Sequence, residues 1–247
     1  MRYFIISLII FLFTDTALAK MPGATENLSD SSVIPASVHY SKPGFFNRLL
    51  YGTNYRAEWS QPVKLPVFQL STSGLTIDRA GGSRQTNSLY LRDSMQMEWV
   101  LRSVDKEVER GIPGLLQATP FLPYKKQQIT AAHPYAAALV ASLAQSADIT
   151  ASLPVYYYVA ADEALGIHNE VFAGKMCMLE KRNPTKNGAA TESTDTVLKK
   201  IKSGQGYPVL QHLVLRVRLL DMLLGDWDRH AGNYAWSTMD SGGQKFY

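Results

Sequence analysis

A dense group of polar residues directly after a long apolar run is the feature that most constrains how this chain can fold. Residues 209–224 are apolar enough to predict a helix, and Gly225 breaks the run. Two aspartates, an arginine, a histidine and an asparagine follow within eight residues: Asp226, Asp228, Arg229, His230 and Asn233. Polar groups this dense at a helix end are costly to bury unless they are paired or bind a ligand. The sequence therefore predicts a functional loop here.

The spacing inside this group resembles a phosphotransfer loop. Asp228 and Asn233 are five residues apart, which is the spacing of base and metal ligand in the kinase loop H-R-D-x-x-x-x-N. Residues 224–233, Leu-Gly-Asp-Trp-Asp-Arg-His-Ala-Gly-Asn, are similar to the D-R-H-x-x-N catalytic loop of atypical kinases. These include the phosphatidylinositol kinases, the HipA-type toxin kinases and the secretory-pathway protein kinases. The resemblance implies that Asp228 accepts a hydroxyl proton or orients the nucleophile, while the Asn233 oxygen holds Mg²⁺ on the phosphates of ATP.

The other polar residues of the group have supporting roles in this interpretation. We expect His230 and Arg229 to stabilise the loop by hydrogen bonding, and Asp226 to act as a cap or structural acceptor. Two alternatives remain open. Asp228 caps the break after the helix or pairs with Arg229 on the surface, or Asp226, Asp228 and His230 are ligands of a hydrolytic metal site.

Three strings upstream resemble a kinase-like region of large Gram-negative cell-envelope proteins, which a phosphoesterase or an outer-membrane barrel domain often accompanies. They lie at residues 51–59, 81–89 and 99–106. The resemblance extends over roughly residues 45 to 247 and implies an α+β, kinase-like fold with a small antiparallel-sheet N-lobe and a helical, truncated C-lobe. Residues 45–180 are then the N-lobe-like sheet with Ala-rich helices, and residues 181–247 are the partial C-lobe.

Strand signals at residues 67–70, Ser88–Arg92 and 98–104 predict a meander within the N-lobe. Gly81 and Gly82 lie in the turn region between the first two strands. The backbone N–H groups of such a turn can approach phosphates, although two adjacent glycines usually form only a turn.

Arg102 is the candidate phosphate clamp on the third of these strands. Side chains alternate along a strand, so Val100, Arg102 and Val104 share one face. The resemblance puts Arg102 in the phosphate-pairing place of the kinase V-A-I-K lysine, although Arg is not a neutral replacement for Lys. Lys106 continues the same parity and is a second candidate. The alternative is that Arg102 is simply an exposed residue on a strand with one face in solvent.

Later elements are predicted from periodicity and capping signals. Residues 124–147 read as helical, with a kink or a second helix beginning at Pro134. Residues 155–160 and 171–180 suit buried strands, and Ser193 or Thr194 can cap the helix that follows. Residues 240–243 are a hairpin signal.

Two features argue against full kinase activity. Residues 111–147 contain no Asp or Glu, so the acidic helix partner of the clamp is missing there. Gln127 or Gln128, or the acids Glu107 and Glu109, are possible substitutes. The only acid after Asn233 is Asp240, in a predicted turn. We therefore expect an incomplete or weakly active phosphotransferase, and a pseudokinase-type binding or scaffold module as the alternative.

The N-terminus predicts export. Arg2 precedes an apolar run of eleven residues, and Ala17-Leu-Ala19 fits a signal-peptide cleavage site, so residues 1–19 are a predicted signal peptide. Residues 20–44 are rich in Ser, Pro, Ala and Gly and predict a flexible lead-in. The expected location is the periplasm or outer envelope.

Composition limits the remaining choices. A hydrophobic content of 46% excludes a disordered chain, and the net charge of +4 is spread too evenly to favour nucleic acid. The polar residues of the 209–224 helix argue against a transmembrane helix in the mature chain. The single cysteine, Cys177, is predicted to be a buried, inert thiol. Expected partners are a nucleotide and a cell-envelope protein or lipid-linked molecule.

Overall fold

A computed structural model describes residues 31–40, 44–82, 85–119, 121–185 and 190–247. The predicted signal peptide at residues 1–19 lies outside the described residues. Among the residues that are described, no helix combines the length and apolar character needed to cross a membrane.

A mixed, seven-stranded sheet organises the larger part of the chain, and helices pack on it, which makes the fold α+β. Its strands are β1 Ser31–Ile34, β2 Val63–Phe68, β3 Thr76–Gly81, β4 Ser88–Arg92, β5 Glu98–Ser103, β6 Val155–Val159 and β7 Met176–Lys181. The spatial order is β1-β2-β6-β7-β5-β4-β3. Only β2 and β6 run parallel, and every other neighbouring pair is antiparallel. The sheet is thus larger than the predicted small antiparallel one.

Nine helices were identified in the described part of the chain. They are α1 Phe45–Tyr51, α2 Arg56–Ser60, α3 Leu70–Ser73, α4 Gly114–Gln117, α5 Phe121–Gln128, α6 Ala136–Ser146, α7 Asn169–Phe172, α8 Thr194–Lys202 and α9 Gln211–Leu224. Short 3₁₀ turns occur at Val108–Gly111, Ile129–Ala131, Glu163–His168 and Ala231–Asn233. Two small ribbons complete the C-terminal part: β8 Glu192–Ser193 with β9 Ala235–Trp236, and β10 Met239–Ser241 with β11 Gln244–Phe246.

The sheet is covered on both faces by apolar side chains. The first core includes Leu89, Leu101 and Leu179, all with no exposed surface, together with Leu165 and Phe172 from the segment before β7. The second core lies on the opposite face. It joins strand residues to the segments that pack there, and it includes Trp59, Leu65, Val104, Ile129 and Met176.

The alternation predicted for β5 is observed. Leu101 and Trp99 belong to the first core, whereas Val104 belongs to the second. Arg102 therefore lies on the second-core face. Cys177 is buried in the first core, and burial raises the pKa of its thiol to about 12. The thiol is therefore protonated at neutral pH, as predicted.

Several predicted boundaries differ from the structure. The flexible lead-in predicted for residues 20–44 is wrong for residues 31–40, because β1 pairs with β2 and the Tyr40 ring packs 5.3 Å from Trp59 in the second core. Strand β3 was not predicted, because its charged residues hide the pattern. Residues 171–180 are not one strand, since α7 ends at Phe172 before β7 begins.

Proline positions and one helix cap also test the predictions. Proline is unusual inside a sheet, and Pro66 lies in β2, which has a strand on each side. The strand pairs with β1 up to Pro66 and with β6 only from Val67, so the missing N–H is tolerated where partners change. Pro134 precedes the second of two helices, α6.

The predicted cap of α8 is observed. The Ser193 side chain accepts a hydrogen bond from the Thr196 N–H at 3.2 Å.

Candidate functional site

Asp221, in the last turn of α9, organises the polar loop (residues 226–233). It is the one buried residue of α9, with 2% of its surface exposed. The helix ends at Gly225, whose φ of 70° is in the left-handed region that favours glycine. This turn brings the Asp226 N–H to 2.8 Å from the Asp221 carbonyl oxygen. The predicted break at Gly225 is therefore a true helix end.

Three side chains donate hydrogen bonds to the buried Asp221 carboxylate. Arg218 Nη1 lies 2.9 Å from Oδ2, the Tyr234 hydroxyl 3.2 Å from the same oxygen, and Arg229 Nε 3.2 Å from Oδ1. A buried carboxylate is tolerated when its oxygens are paired in this way. Arg229 also pairs with Asp226 at 3.2 Å. Arg229 therefore links the carboxylates of Asp221 and Asp226, and Asp221 is the central acceptor of this network.

Asp228 differs from the other polar residues of the loop because no described side chain or backbone group binds its carboxylate. The residue is exposed, and its carboxylate makes no hydrogen bond or ion pair with the described residues. The adjacent Trp227 is 91% exposed. Asp228 does not pair with Arg229, whose guanidinium is occupied by Asp221 and Asp226. The surface-pair alternative for Asp228 is therefore wrong, and its carboxylate is available to a ligand.

Asn233 and His230 stabilise the turn at Ala231–Asn233 by hydrogen bonds to its backbone. The Asn233 Oδ1 accepts the His230 N–H at 2.9 Å, and His230 Nδ1 accepts the Gly232 N–H at 3.1 Å. Together they form a capping box for the Ala231–Asn233 turn. Thr194 fixes the turn to α8, because its hydroxyl donates to the Ala231 carbonyl at 2.8 Å. His230 thus has the structural role that the sequence predicted.

The loop offers few oxygen ligands of its own for the expected Mg²⁺ ion. Mg²⁺ needs near-octahedral oxygen ligands, which proteins supply through one or two carboxylates. Here the predicted ligand atom, Asn233 Oδ1, already accepts a backbone hydrogen bond, and Asp228 is the one free carboxylate of the loop. Within the described ranges no three His, Cys, Asp or Glu residues converge as a metal-binding group, so Asp226, Asp228 and His230 do not form the alternative hydrolytic site.

Arg102 has an acidic partner that the sequence did not reveal. Its Nε lies 3.2 Å from Glu180 Oε1, on the neighbouring strand β7, although the N–H is not aligned for a hydrogen bond. The Glu180 side chain is only 16% exposed, whereas that of Arg102 is 40% exposed. Burial raises the pKa of the Glu180 carboxyl, and the Arg102 charge opposes that shift. The pair therefore holds a cation at the surface of the sheet.

The partners suggested by sequence are occupied elsewhere. Gln127 accepts a hydrogen bond from the buried Arg56, and Glu109 pairs with Lys126. Glu107 accepts from Asn87 Nδ2 at 2.9 Å. The acidic partner of Arg102 comes from a strand instead of a helix, so the lack of acids in residues 111–147 does not leave Arg102 unpaired.

The same face of the sheet carries a second charged group next to this pair. Arg182 donates to Glu98 at 2.7 Å, and Arg79 pairs with Glu98 at 3.2 Å. The two guanidinium groups lie 4.1 Å (Arg79) and 5.3 Å (Arg182) from the Tyr90 ring centroid. Each cation here has both an acid and an aromatic neighbour, so the group is largely satisfied internally.

The two candidate glycines have packing reasons for being glycine. Gly81 ends β3 opposite Ser88, and a Cβ at this position would collide with the Tyr90 ring. Gly82 has a φ of 90°, and a Cβ there would collide with the Thr86 carbonyl oxygen. The tight turn is thus explained by its own backbone geometry.

Lys106 does not lie on β5, because the strand ends at Ser103. The expected continuation of strand parity to Lys106 is therefore wrong. Lys106 instead lines a pocket of about 160 Å³ together with Lys125 of α5. The other lining residues are Gln85, Val108, Gln128, Ile129 and Ala132.

The predicted residues form two groups in the structure. Asp226, Arg229, His230 and Asn233 meet in the polar loop, and Arg102 lies on the sheet. No hydrogen bond or ion pair within the described ranges joins Arg102 to Asp228 or Asn233. Sequence reasoning missed Asp221 and Glu180. Each is a single acid in an otherwise apolar stretch. Since acids are rarely buried unless they are paired, such an acid indicates a buried pair and could have been noticed in the sequence.

Comparison of the chain with protein-family profiles, with curated proteins and with solved structures finds no match. The function is therefore inferred from the residues of this chain.

Proposed function

We propose that this chain is an exported, kinase-like domain that binds the phosphates of a nucleotide and transfers phosphate slowly. The Arg102–Glu180 pair is the observation that carries the proposal. Kinases hold a phosphate-pairing cation on the third strand of a meander by an ion pair with an acid. Here the meander is β3-β4-β5, Arg102 lies on its third strand, and Glu180 is 3.2 Å away.

The exposure of Arg102 supports binding. With 40% of its side chain exposed, the guanidinium can contact a ligand without leaving Glu180. An arginine presents several donors in a planar fork, which suits phosphate oxygens. The backbone turn at Gly82 precedes the second strand of the same meander.

The expected slow rate of phosphate transfer is based on how few free oxygen ligands the polar loop offers. Asp228 is a free carboxylate that can orient a hydroxyl group, but the Asn233 oxygen is engaged by His230 and Asp240 accepts the Gly243 N–H at 3.0 Å. Losing one electrostatic element of this kind typically costs about 10²–10³ in rate. The proposal therefore involves no step through a metal held by Asn233.

A pseudokinase-type binding or scaffold module without phosphotransfer is the second candidate. The capping box of His230 and Asn233 favours it, because a loop that satisfies its own polar groups does not need a metal for its shape. A cell-envelope protein or lipid-linked molecule is the partner class that follows from the upstream resemblance.

Calorimetry and a transfer assay test the two candidates together. We expect titration with Mg-ATP to show binding that Arg102→Gln weakens about tenfold, since hydrogen bonds to charged groups contribute about 1.5–3 kcal/mol. Arg182→Gln is the matched control, because it removes the same charge from the same face. Equal binding by both variants and the wild type would remove Arg102 from the site.

The transfer assay uses labelled nucleotide with wild type and Asp228→Ala. Slow transfer that the substitution abolishes supports the kinase-like candidate, and no transfer with retained binding supports the second. Turnover near the typical kinase value of about 1–100 s⁻¹, lost in Asp228→Ala, would show that the loop is catalytically complete.

Export is part of the same proposal. The segment ending at Ala19 has the charge, apolar run and small residues of a signal peptide, with Lys20 as the mature start. Mass spectrometry of the native protein should find residue 20 at the N-terminus. Retention of residues 1–19 would contradict export by this route.

A further inference from the structure

Helix α1 exposes its apolar side chains instead of burying them. None of its seven residues is buried. Four large apolar side chains are between 68% and 75% exposed: Phe45, Phe46, Leu49 and Leu50. None of the four belongs to either core of the sheet, and the Phe45 and Phe46 rings pack edge to face on each other, with their centroids 5.6 Å apart. An exposed apolar surface of this kind marks an interaction site.

The four side chains occupy one side of the helix, and the rest of the protein lies on the other. At about 100° per residue, an arc of about 140° contains the whole set, in the order Phe45, Leu49, Phe46, Leu50. Asn47 and Tyr51 project from the opposite side and are half-buried, and α1 packs against α5. In an ordinary surface helix the apolar stripe faces the core and the polar residues face solvent. Helix α1 is oriented the other way round.

The charge on α1 is positive. Arg48 is exposed at one edge of the apolar arc, and its guanidinium makes no hydrogen bond or ion pair with the described residues. The sequences of α1 and of α5, the helix on which it packs, contain no acidic residue. Interfacial helices present such a surface to a membrane: their apolar side chains enter the acyl boundary, and their basic side chains meet anionic headgroups.

Helix α9 also has exposed apolar side chains, but its charges are different. Met222 and Leu223 are 75% and 80% exposed. The helix leads directly into Asp226 and Asp228, and both of its arginines are paired with acids. An anionic surface repels the free Asp228 carboxylate. Charge therefore favours α1, and not α9, as the helix that meets such a surface.

We propose that α1 is a membrane-contacting helix whose apolar arc enters the interface of a bilayer that contains anionic phospholipids. Arg48 then lies at the level of the headgroups. A helix of seven residues is only about 10 Å long, so it lies along the surface and does not span the bilayer. The contact involves neither Arg102 nor the polar loop, so it is independent of phosphate transfer.

Sedimentation with lipid vesicles tests the proposal on the native protein. We expect binding to vesicles of phosphatidylglycerol and phosphatidylcholine, and about fivefold weaker binding to phosphatidylcholine alone, which is the effect of one basic residue at an anionic surface. Phe45→Ser combined with Phe46→Ser should weaken binding by at least about tenfold, because two large apolar side chains no longer enter the interface. Met222→Ser combined with Leu223→Ser is the matched control on α9, and its affinity should stay within about twofold of wild type.

Arg48→Gln separates the effect of charge from that of apolar insertion. It should weaken binding to the anionic vesicles about fivefold and leave binding to phosphatidylcholine unchanged. The substituted side chains are all exposed, so the variants should fold like wild type, which urea denaturation checks.

A fluorescent label locates the contact. Cys177 is buried and its thiol is protonated at neutral pH, so a cysteine introduced at an exposed position can be labelled selectively. The emission of an environment-sensitive label on Leu50→Cys should shift to the blue when anionic vesicles are added. The same label on Leu223→Cys should show no shift.

A blue shift at position 50, together with vesicle binding that depends on Arg48, supports the proposal. Absence of vesicle binding, or equal weakening by the double variants of α1 and α9, would overturn it. Self-association in solution that Phe45→Ser combined with Phe46→Ser abolishes would also overturn it, because a second copy of the chain would then cover α1.

Discussion

The sheet and the polar loop are ordered by different forces. In the sheet, Leu89, Leu101 and Leu179 have no exposed surface, and apolar contacts fix the strands on both faces. The loop has no buried side chain of its own. It is held by hydrogen bonds to the Asp221 carboxylate and by the capping box of His230 and Asn233. Burial of apolar area orders one region, and satisfaction of one buried charge orders the other.

The same difference determines which polar side chains remain accessible to a ligand in each region. Groups needed for the shape of the loop, such as Arg229 and Asn233, are engaged, while Asp228 is left free. On the sheet, Arg102 is held by Glu180 but remains accessible. The candidate groups, Asp228 and Arg102, are thus the ones that packing and pairing leave accessible to a ligand.

The largest effect should come from the first core. Leu101→Ala removes a fully buried side chain, and such substitutions cost about 2–5 kcal/mol in the free energy of unfolding. Leu219→Ala is the control, because Leu219 in α9 is 55% exposed and should change stability by under about 0.5 kcal/mol. Urea denaturation measures both. Similar losses would mean that α9 is as well packed as the sheet, which would break the comparison.

A smaller and local loss is expected from Asp221→Ala. It leaves the Arg218, Arg229 and Tyr234 donors without their acceptor, at a cost of about 1–3 kcal/mol. Arg218 is 46% exposed and can be solvated, which limits the loss. Hydrogen exchange should speed up in α9 and the polar loop and stay unchanged in β5 and β7.

The matched control for this prediction is Asp226→Ala. Asp226 is 39% exposed and pairs only with Arg229, so it should cost under about 1 kcal/mol. Faster exchange throughout the sheet in Asp221→Ala would show that the two regions unfold together.

These two variants also show how much the sequence could predict. Alternation along residues 98–104 gave the correct faces of β5, because period-two patterns reflect burial directly. Strand Ser88–Arg92 and the end of α9 at Gly225 were also correct. Charged β3 was missed, since its Asp78 and Arg79 pair with other charges on the sheet and carry no apolar pattern.

The sites were less predictable because they depend on contacts between distant segments. Arg102 was identified by strand parity, but its partner Glu180 is 78 positions later and becomes adjacent only when β5 pairs with β7. Lys106 was assigned to the strand, yet it lines a pocket with a helix residue. Local spacing could suggest the polar loop, and it could not reveal that Asp221 is its centre.

The third prediction concerns pH and compares two acids on one face of the sheet. Burial raises the pKa of Glu180 above its usual 4.5, so the folded state binds this proton more tightly than the unfolded state. Its contribution to stability is therefore lost as the pH rises from 4.5 through the raised pKa. Glu180→Gln should gain stability relative to wild type over that range.

Glu98→Gln should show the opposite trend. Burial alone would raise the pKa of Glu98, but hydrogen bonds from Arg182 and Arg79 outweigh burial and lower it. Its contribution is present above 4.5 and is lost as the pH falls through the lowered pKa. Urea titrations at several pH values measure both variants against wild type. Parallel pH profiles for the two variants would show that burial does not dominate the pKa of Glu180.

The smallest effect on stability is expected at Asp228, which is also the most informative position for function. An exposed carboxylate without a partner contributes little to folding, so Asp228→Ala should change the free energy of unfolding by under about 0.5 kcal/mol. Asp240→Ala is the control, because Asp240 is also exposed but accepts the Gly243 N–H. A functional residue in this loop would be a free acid that stability does not require, beside polar side chains that are engaged with one another. A loss of stability larger than that of Asp240→Ala would show that Asp228 belongs to the structural network, and the case for its role in phosphate transfer would then fail.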